Sequence, residues 1–187
     1  MDVDPPNGIE RDYPLAGLTT IRTGGPADYF ARPRSEEALL ELLGWADAER
    51  IEVGVIGSGS NLLVSDGGFR GVVLKLNGEL SAIERDGSRV VCGGGARMPS
   101  AAAKVARWGL SGLEFGVNIP GTVGGARFSP VHANFVENRG HATTADVLTL
   151  MAAGRRRVRD RLAIDLEPEV QVLGDVEWPA DWAKDSR

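Results

Sequence analysis

The chain has 187 residues, 42% of them apolar and 25% charged, with a formal net charge of −5. That length supports one domain, or two small ones, with a real core, and the composition is that of an ordinary globular protein. The acidic balance (pI near 5.1) offers no basic footprint for nucleic acid and no attraction to an anionic membrane surface. The lone cysteine, Cys92, excludes an intrachain disulfide and a thiolate-rich metal site, and two histidines argue against a His-based centre. Cys92 follows Arg89-Val90-Val91 and reads as a buried strand residue and not as a nucleophile. The opening Met1-Asp2-Val3-Asp4-Pro5-Pro6 lacks an apolar leader core, and no run reaches membrane-spanning length. The expectation is a cytoplasmic monomer without metal.

In chain order, residues 1–13 read as a polar lead-in. Leu18-Thr19-Thr20-Ile21-Arg22 alternates like a strand and ends in the turn Thr23-Gly24-Gly25-Pro26. Another short strand is expected over Ala27–Arg32. Ser35 then caps a helix that carries to about Glu49, with Glu36 and Glu37 in its first turn and Leu39, Leu40, Leu42, Leu43 and Ala46 on its apolar side. Ile51–Ile56 is short, apolar and β-branched, a buried strand closing a β-α-β unit over 27–56. Asp66-Gly67-Gly68-Phe69-Arg70-Gly71 reads as a loop in which Asp66 and Arg70 cap turns, and Val72–Leu76 as a strand. Residues 82–92 have the pattern of a hairpin turning at Asp86-Gly87-Ser88.

Pro99 to Trp108 reads as a helix with proline near its start and Gly109 as its C-cap. Residues 125–138 contain a short alternating strand, in which His132 and Asn134 read as hydrogen-bonded structural groups. A helix opens at Thr144-Ala145-Asp146 with Val147, Leu148, Leu150 and Met151 inward, and its Arg155, Arg156, Arg157, Arg159 and Arg161 read as a solvated basic face. Leu166 to Gly174 alternates as a strand, with Glu167, Glu169 and Gln171 on its solvent side. The tail, including Trp178 and Trp182, is expected to be peripheral.

Two small-residue turns organise this pattern. Gly57-Ser58-Gly59-Ser60-Asn61 follows the Ile51–Ile56 run and leaves through Leu62-Leu63-Val64. Ile119-Pro120-Gly121-Thr122-Val123-Gly124-Gly125 repeats its chemistry, with a Pro-Gly turn, a hydroxyl and a glycine pair. Glycine lets backbone N–H groups approach a ligand with no Cβ in the way, and successive N–H groups form a concavity suited to phosphate oxygens. One such loop is more often an ordinary turn. Two in one chain suggest a pyrophosphate held between them, as in a dinucleotide cofactor.

These stretches, with Thr19–Ala27, Asp66–Gly71, Gly109-Leu110-Ser111-Gly112-Leu113-Glu114 and Ile119–Ala126 in that order, resemble the MurB family, the UDP-N-acetylenolpyruvoylglucosamine reductases. Ser129–Phe135, the Ala145-Asp146-Val147 helix and Leu166–Val170 with Leu173-Gly174 extend the resemblance from 18 to 174. The chain also departs from the family. After Ala126 the family continues with an Asn-Ala-Gly-Ala-Tyr-Gly type segment, then a Tyr-Arg-x-Ser motif with an active-site Arg and a Gly-Ser-x-Phe-Lys-Asn-Pro motif with the catalytic Ser. Here Ala126 runs into Arg127-Phe128-Ser129, and neither motif has a counterpart.

The resemblance implies an α+β chain with the FAD-binding fold of vanillyl-alcohol-oxidase-like (PCMH-like) flavoproteins, abbreviated, with a remnant of the MurB C-terminal substrate domain. It divides the chain into a lead-in (1–17), an FAD-binding domain with its second α/β lobe incomplete (18–126), a substrate-domain remnant (127–165), a returning strand with Glu169 (166–176) and a tail (177–187). It implies FAD as cofactor and NADPH as reductant, with hydride passing by way of the flavin to the enolpyruvyl group of a UDP-sugar in peptidoglycan precursor synthesis. By resemblance, Gly57, Ser58, Gly59, Ser60, Asn61 and Leu62, together with Ile119, Pro120, Gly121, Thr122, Gly124, Gly125 and Ala126, cradle the FAD, with Arg22 and Gly24 close by. Glu169 is the one catalytic position of three that remains, and a carboxyl helping there requires burial to raise its pKa. The rival reading is an FAD-binding module or shortened paralogue without turnover.

Overall fold

Ser35 decides where the first long helix starts. Its Oγ accepts the Ala38 N–H at 3.2 Å, and Glu36 and Glu37 follow at the positive end of the helix dipole. This helix, α1 (Glu36–Ala48), buries Leu42, Trp45 and Ala46, whereas Leu40 and Leu43 point outward. It ends on Arg50 in the left-handed region (φ 55°), with the Ile51 N–H returning to the Ala46 carbonyl at 2.8 Å. The chain is thereby delivered straight into a strand.

The structure is a computed structural model that describes residues 5–124, 140–180 and 182. These fall into two units, which are taken separately. The first holds residues 5–13, 27–60 and 70–124, and the second holds 14–26, 61–69, 140–180 and Trp182.

In the first unit the strands β1 (Ile9–Pro14), β2 (Pro26–Ala31), β3 (Glu52–Val55) and β5 (Phe69–Leu74) form one sheet in the order β1-β2-β5-β3. The strand β4 (Leu62–Val64) lies between β3 and β5 in sequence but belongs to the second unit. β3 and β5 run parallel, with Glu52 opposite Gly71 and Val55 opposite Leu74. β5 is buried at Phe69, Val72, Val73 and Leu74, as a central parallel strand should be. Its Val72 and Leu74 pack with Ala31, Leu42, Trp45 and Ala46 in the core beneath α1.

A second part of this unit carries the hairpin β6 (Ile83–Asp86) and β7 (Arg89–Cys92), turning through Gly87 at φ 61°. The helix α2 (Met98–Arg107) starts with proline in its first turn, and its Met98, Ala101, Ala102 and Val105 are buried.

In the second unit β4 pairs in parallel with β8 (Gln171–Leu173), and α3 (Thr144–Leu162) packs Val147 and Leu148 on Leu63. Thr143 caps α3: its Oγ1 accepts the Asp146 N–H at 3.1 Å, and its own N–H reaches Asp146 Oδ2 at 2.9 Å.

Several expectations need correction. The lead-in is not structureless, because Ile9–Pro14 forms an edge strand whose Tyr13 stacks on Phe30 at 4.0 Å. Thr19–Arg22 is not a strand. Thr19 Oγ1 accepts the Arg22 N–H at 3.0 Å, and Arg22 sits at φ 59°, so the side chain closes a local turn in place of a ladder. The returning strand is three residues long, because Pro168 has no N–H to give a ladder. Leu150 is exposed, and Arg155, assigned to a solvated face, is 4% exposed. Trp182 is not peripheral either: it is buried, edge-on to Trp178 at 5.5 Å, and Arg155 lies over its ring at 5.6 Å. The strand expected within 125–138 lies outside the described residues.

Candidate functional site

The two glycine loops meet in the first unit. Ser58 Oγ donates to the Pro120 carbonyl at 3.2 Å, Ser60 Oγ donates to the same oxygen, and the two hydroxyls lie 3.2 Å apart. Gly57 backs directly onto Thr122: a Cβ added at Gly57 would sit 2.6 Å from Thr122 Oγ1. Only glycine allows that approach. Gly59 is in the left-handed region at φ 67°, which bends the loop back on itself.

The second loop is held from behind. The Met98 N–H donates to the Gly121 carbonyl at 2.9 Å, Val123 to Ala96 at 2.7 Å and Gly124 to Gly94 at 2.8 Å. Through these bonds the start of α2 and the glycines after β7 fix the position of Pro120 and Thr122. The first loop has no such backbone partners. Among the described residues the N–H groups of Gly57, Ser58, Gly59 and Ser60 donate to no backbone carbonyl. A run of unengaged N–H groups on a glycine turn is a cradle for anionic oxygen, so the residues present fit a pyrophosphate.

Lys75 stands beside this cradle, its Nζ donating to the Gly57 carbonyl at 2.6 Å. Burial lowers its pKa from the usual lysine value, and the nearby Arg32 charge lowers it further. Arg32 in turn reaches Glu10 Oε1 and the Tyr13 hydroxyl, each at 2.6 Å. The pattern of a strand-end lysine was present in the sequence. Nothing local to position 75 tied it to a loop eighteen residues earlier.

Not all of the expected site residues fall in the first unit. Asn61, Leu62, Arg22 and Gly24 belong to the second unit. There Gly24, at φ 106°, touches Val64 so closely that an added Cβ would be 2.5 Å from the Val64 carbonyl oxygen. Asn61 Nδ2 donates to the Glu169 carbonyl at 2.9 Å, and the Gln171 N–H to the Asn61 carbonyl at 3.0 Å. Glu169 itself is exposed and lacks the burial expected of a catalytic carboxyl. Gly125 and Ala126, like His132 and Asn134, lie outside the described residues. Cys92 is half-buried at an apolar groove of about 560 Å³ lined also by Val90, Met98, Phe115 and Val123. Burial pushes its thiol pKa up, with Lys104 opposing, which suits a structural residue.

Residues 27–155 match the family described as FAD binding domain. The chain is 50% identical over 119 residues to UDP-N-acetylenolpyruvoylglucosamine reductase 2 of Symbiobacterium thermophilum, a match covering 64% of this chain and 39% of that protein. It is 43% identical over 141 residues to the UDP-N-acetylenolpyruvoylglucosamine reductase of Levilactobacillus brevis, covering 75% of this chain and 46% of that one. Among solved structures, the MurB reductase of Thermus caldophilus superposes with a TM-score of 0.51 at 38% identity, covering 63% of this chain and 40% of that one. The fold is an abbreviated FAD-binding fold, and the chain belongs to the FAD-binding domain family on its MurB branch. It spans less than half the length of each of these relatives, 39%, 46% and 40%.

Proposed function

We propose that the chain binds FAD through the paired loops Gly57–Ser60 and Ile119–Gly124, in the service of NADPH-dependent reduction of UDP-N-acetylenolpyruvoylglucosamine in peptidoglycan precursor synthesis. The observation that carries the FAD assignment is the loop pair itself: two serine hydroxyls bound to one carbonyl, and a row of N–H groups left unengaged. The Ser58 and Ser60 hydroxyls hold the first loop against the second, and the unengaged N–H groups are the donors for the pyrophosphate. Glycine at 57 keeps the two loops in contact. When bound, the flavin would carry hydride from NADPH to the vinyl group of the UDP-sugar. By the same reading the protein acts in the cytoplasm, as a monomer.

One observation favours a second reading, a flavin-binding module without turnover. Glu169, the remaining catalytic candidate, is exposed, and the sequence lacks the Arg and Ser motifs.

The visible absorption spectrum after incubation with FAD and gel filtration tests the first claim. A retained, structured flavin band near one per chain is the expected result, and a colourless protein would sink it. NADPH oxidation dependent on the enolpyruvyl substrate then separates the readings. Its presence would eliminate the inert module, and its absence would leave a flavin binder that does not turn over.

A further inference from the structure

We propose that Lys75 is the positioning residue of the phosphate cradle, turning the Gly57–Ser58 peptide so that its carbonyl faces into the protein and the Ser58 N–H faces the ligand. This inference rests on the FAD reading above. The observation is the 2.6 Å hydrogen bond from Lys75 Nζ to the Gly57 carbonyl. In a planar trans peptide the C=O and the following N–H point to opposite sides. Fixing the Gly57 oxygen on Lys75 therefore fixes the Ser58 N–H on the other side, and that N–H has no backbone acceptor among the described residues. A glycine is the residue most free to lose this orientation, because φ and ψ at position 57 are otherwise weakly restricted. The clamp supplies what the glycine lacks.

Its charge works in the same direction. Lys75 is half-buried beside Arg32, whose own charge is paired with Glu10 at 2.6 Å, so its partly desolvated ammonium leaves a positive potential behind the peptide. An arriving phosphate on the other face of that peptide is drawn to it. The fixed carbonyl, the released N–H and the partly desolvated cation together favour a dianionic ligand over a neutral one. Selectivity for phosphate-bearing flavin over the free isoalloxazine-ribityl moiety is thus assigned to this residue.

The test compares FAD, ADP and riboflavin binding by isothermal titration to the full chain, as wild type, Lys75→Met and Lys75→Arg. Lys75→Met keeps the aliphatic stem and removes the donor and the charge. A charged hydrogen bond of this kind is worth about ten- to a hundredfold in affinity. Lys75→Met should lose about that much for FAD and ADP and nothing for riboflavin, with Lys75→Arg recovering part of the loss. In the ligand-free protein, 15N relaxation should show the Ser58 and Gly59 amides losing order in Lys75→Met at an unchanged melting temperature. Equal FAD affinity in Lys75→Met and wild type, or equal losses for FAD and riboflavin, would overturn the proposal. If wild type bound neither FAD nor ADP, the FAD reading would fall first and this inference with it. Wild-type binding with an indifferent Lys75→Met would remove the inference alone.

Discussion

The Asp66 carboxylate accepts the Thr144 N–H through both oxygens, at 2.9 and 3.0 Å, across 78 residues of sequence. Asp66 sits in the loop after β4, and Thr144 is the first residue of α3. The Thr144 hydroxyl completes the attachment by donating to the Val64 carbonyl at 2.6 Å. One acidic side chain thus satisfies an orphan donor of the helix start and places negative charge at the positive end of the dipole. Asp66→Ala should lower the stability of the second unit by about 1 kcal/mol, and Asp66→Asn by less, since the amide oxygen can still accept. Amide exchange in α3, followed in denaturant, reads this directly. No change in α3 protection on Asp66→Ala would show that the local Thr143 cap suffices.

Arg155 and Asp165 make an unequal pair, 3.6 Å apart, with side-chain exposures of 5% and 61%. Removing each partner should therefore have unequal effects. Asp165→Asn breaks a largely solvated ion pair and should cost under about 1 kcal/mol. Arg155→Ala also removes a buried aliphatic stem and the stacking on Trp182, and should cost roughly 2–3 kcal/mol. Urea titration of both variants, followed by tryptophan fluorescence, tests the ordering. Equal effects would mean that the pair, and not the packing, carries the energy.

What could be read from the sequence follows the range of the interactions. α1 was legible because its cap, acidic first turn and apolar spacing all lie within thirteen residues of Ser35. The hairpin was legible from Asp86-Gly87, and the two glycine loops from their residues alone. The edge strand β1 was not, because Ile9-Glu10-Arg11-Asp12-Tyr13 has one neighbour in the sheet and keeps a polar look. Arg155 reads as one more cation in a basic run until Trp182 and Asp165 are placed around it. Asp66 read as a cap of its own loop's turn, but its carboxylate binds the start of α3, which lies far along the chain. Lys75 was invisible for the same reason, since its meaning depends on Gly57.

Acid should loosen the start of α3. Backbone and side-chain hydrogen bonds from Thr143 hold the Asp146 carboxyl below the usual aspartate value of 3.8. A carboxyl lowered in the native state contributes stability that is present above its unfolded value and is lost as pH falls through the native one. The first turn of α3 should therefore lose amide protection as pH drops below about 4, a loss that Asp146→Asn makes much flatter. Hydrogen exchange of residues 144–148 between pH 2 and 6 is the measurement. A wild-type profile as flat as that of the variant would refute the capping box as a source of acid sensitivity.

Gly57→Ala is the sharpest test of the loop pair. The new methyl would lie 2.6 Å from Thr122 Oγ1, 3.5 Å from its Cγ2 and 3.6 Å from its Cβ, so the hydroxyl oxygen alone is in serious conflict. Thr122 is buried and its backbone is braced against Arg97, so the second loop gives way less readily than the first. Displacing the Gly57 loop pulls Ser58 and Ser60 off the Pro120 carbonyl and spreads the N–H groups that face the ligand. Gly57→Ala should therefore lose FAD affinity by about tenfold or more at an overpacking cost of roughly 1–3 kcal/mol. Thr122→Ala added to it removes the clashing oxygen and should restore part of both, a coupling that distant sites would not show. If the double variant binds FAD no better than Gly57→Ala alone, the loss comes from backbone restriction at position 57 and not from contact between the loops.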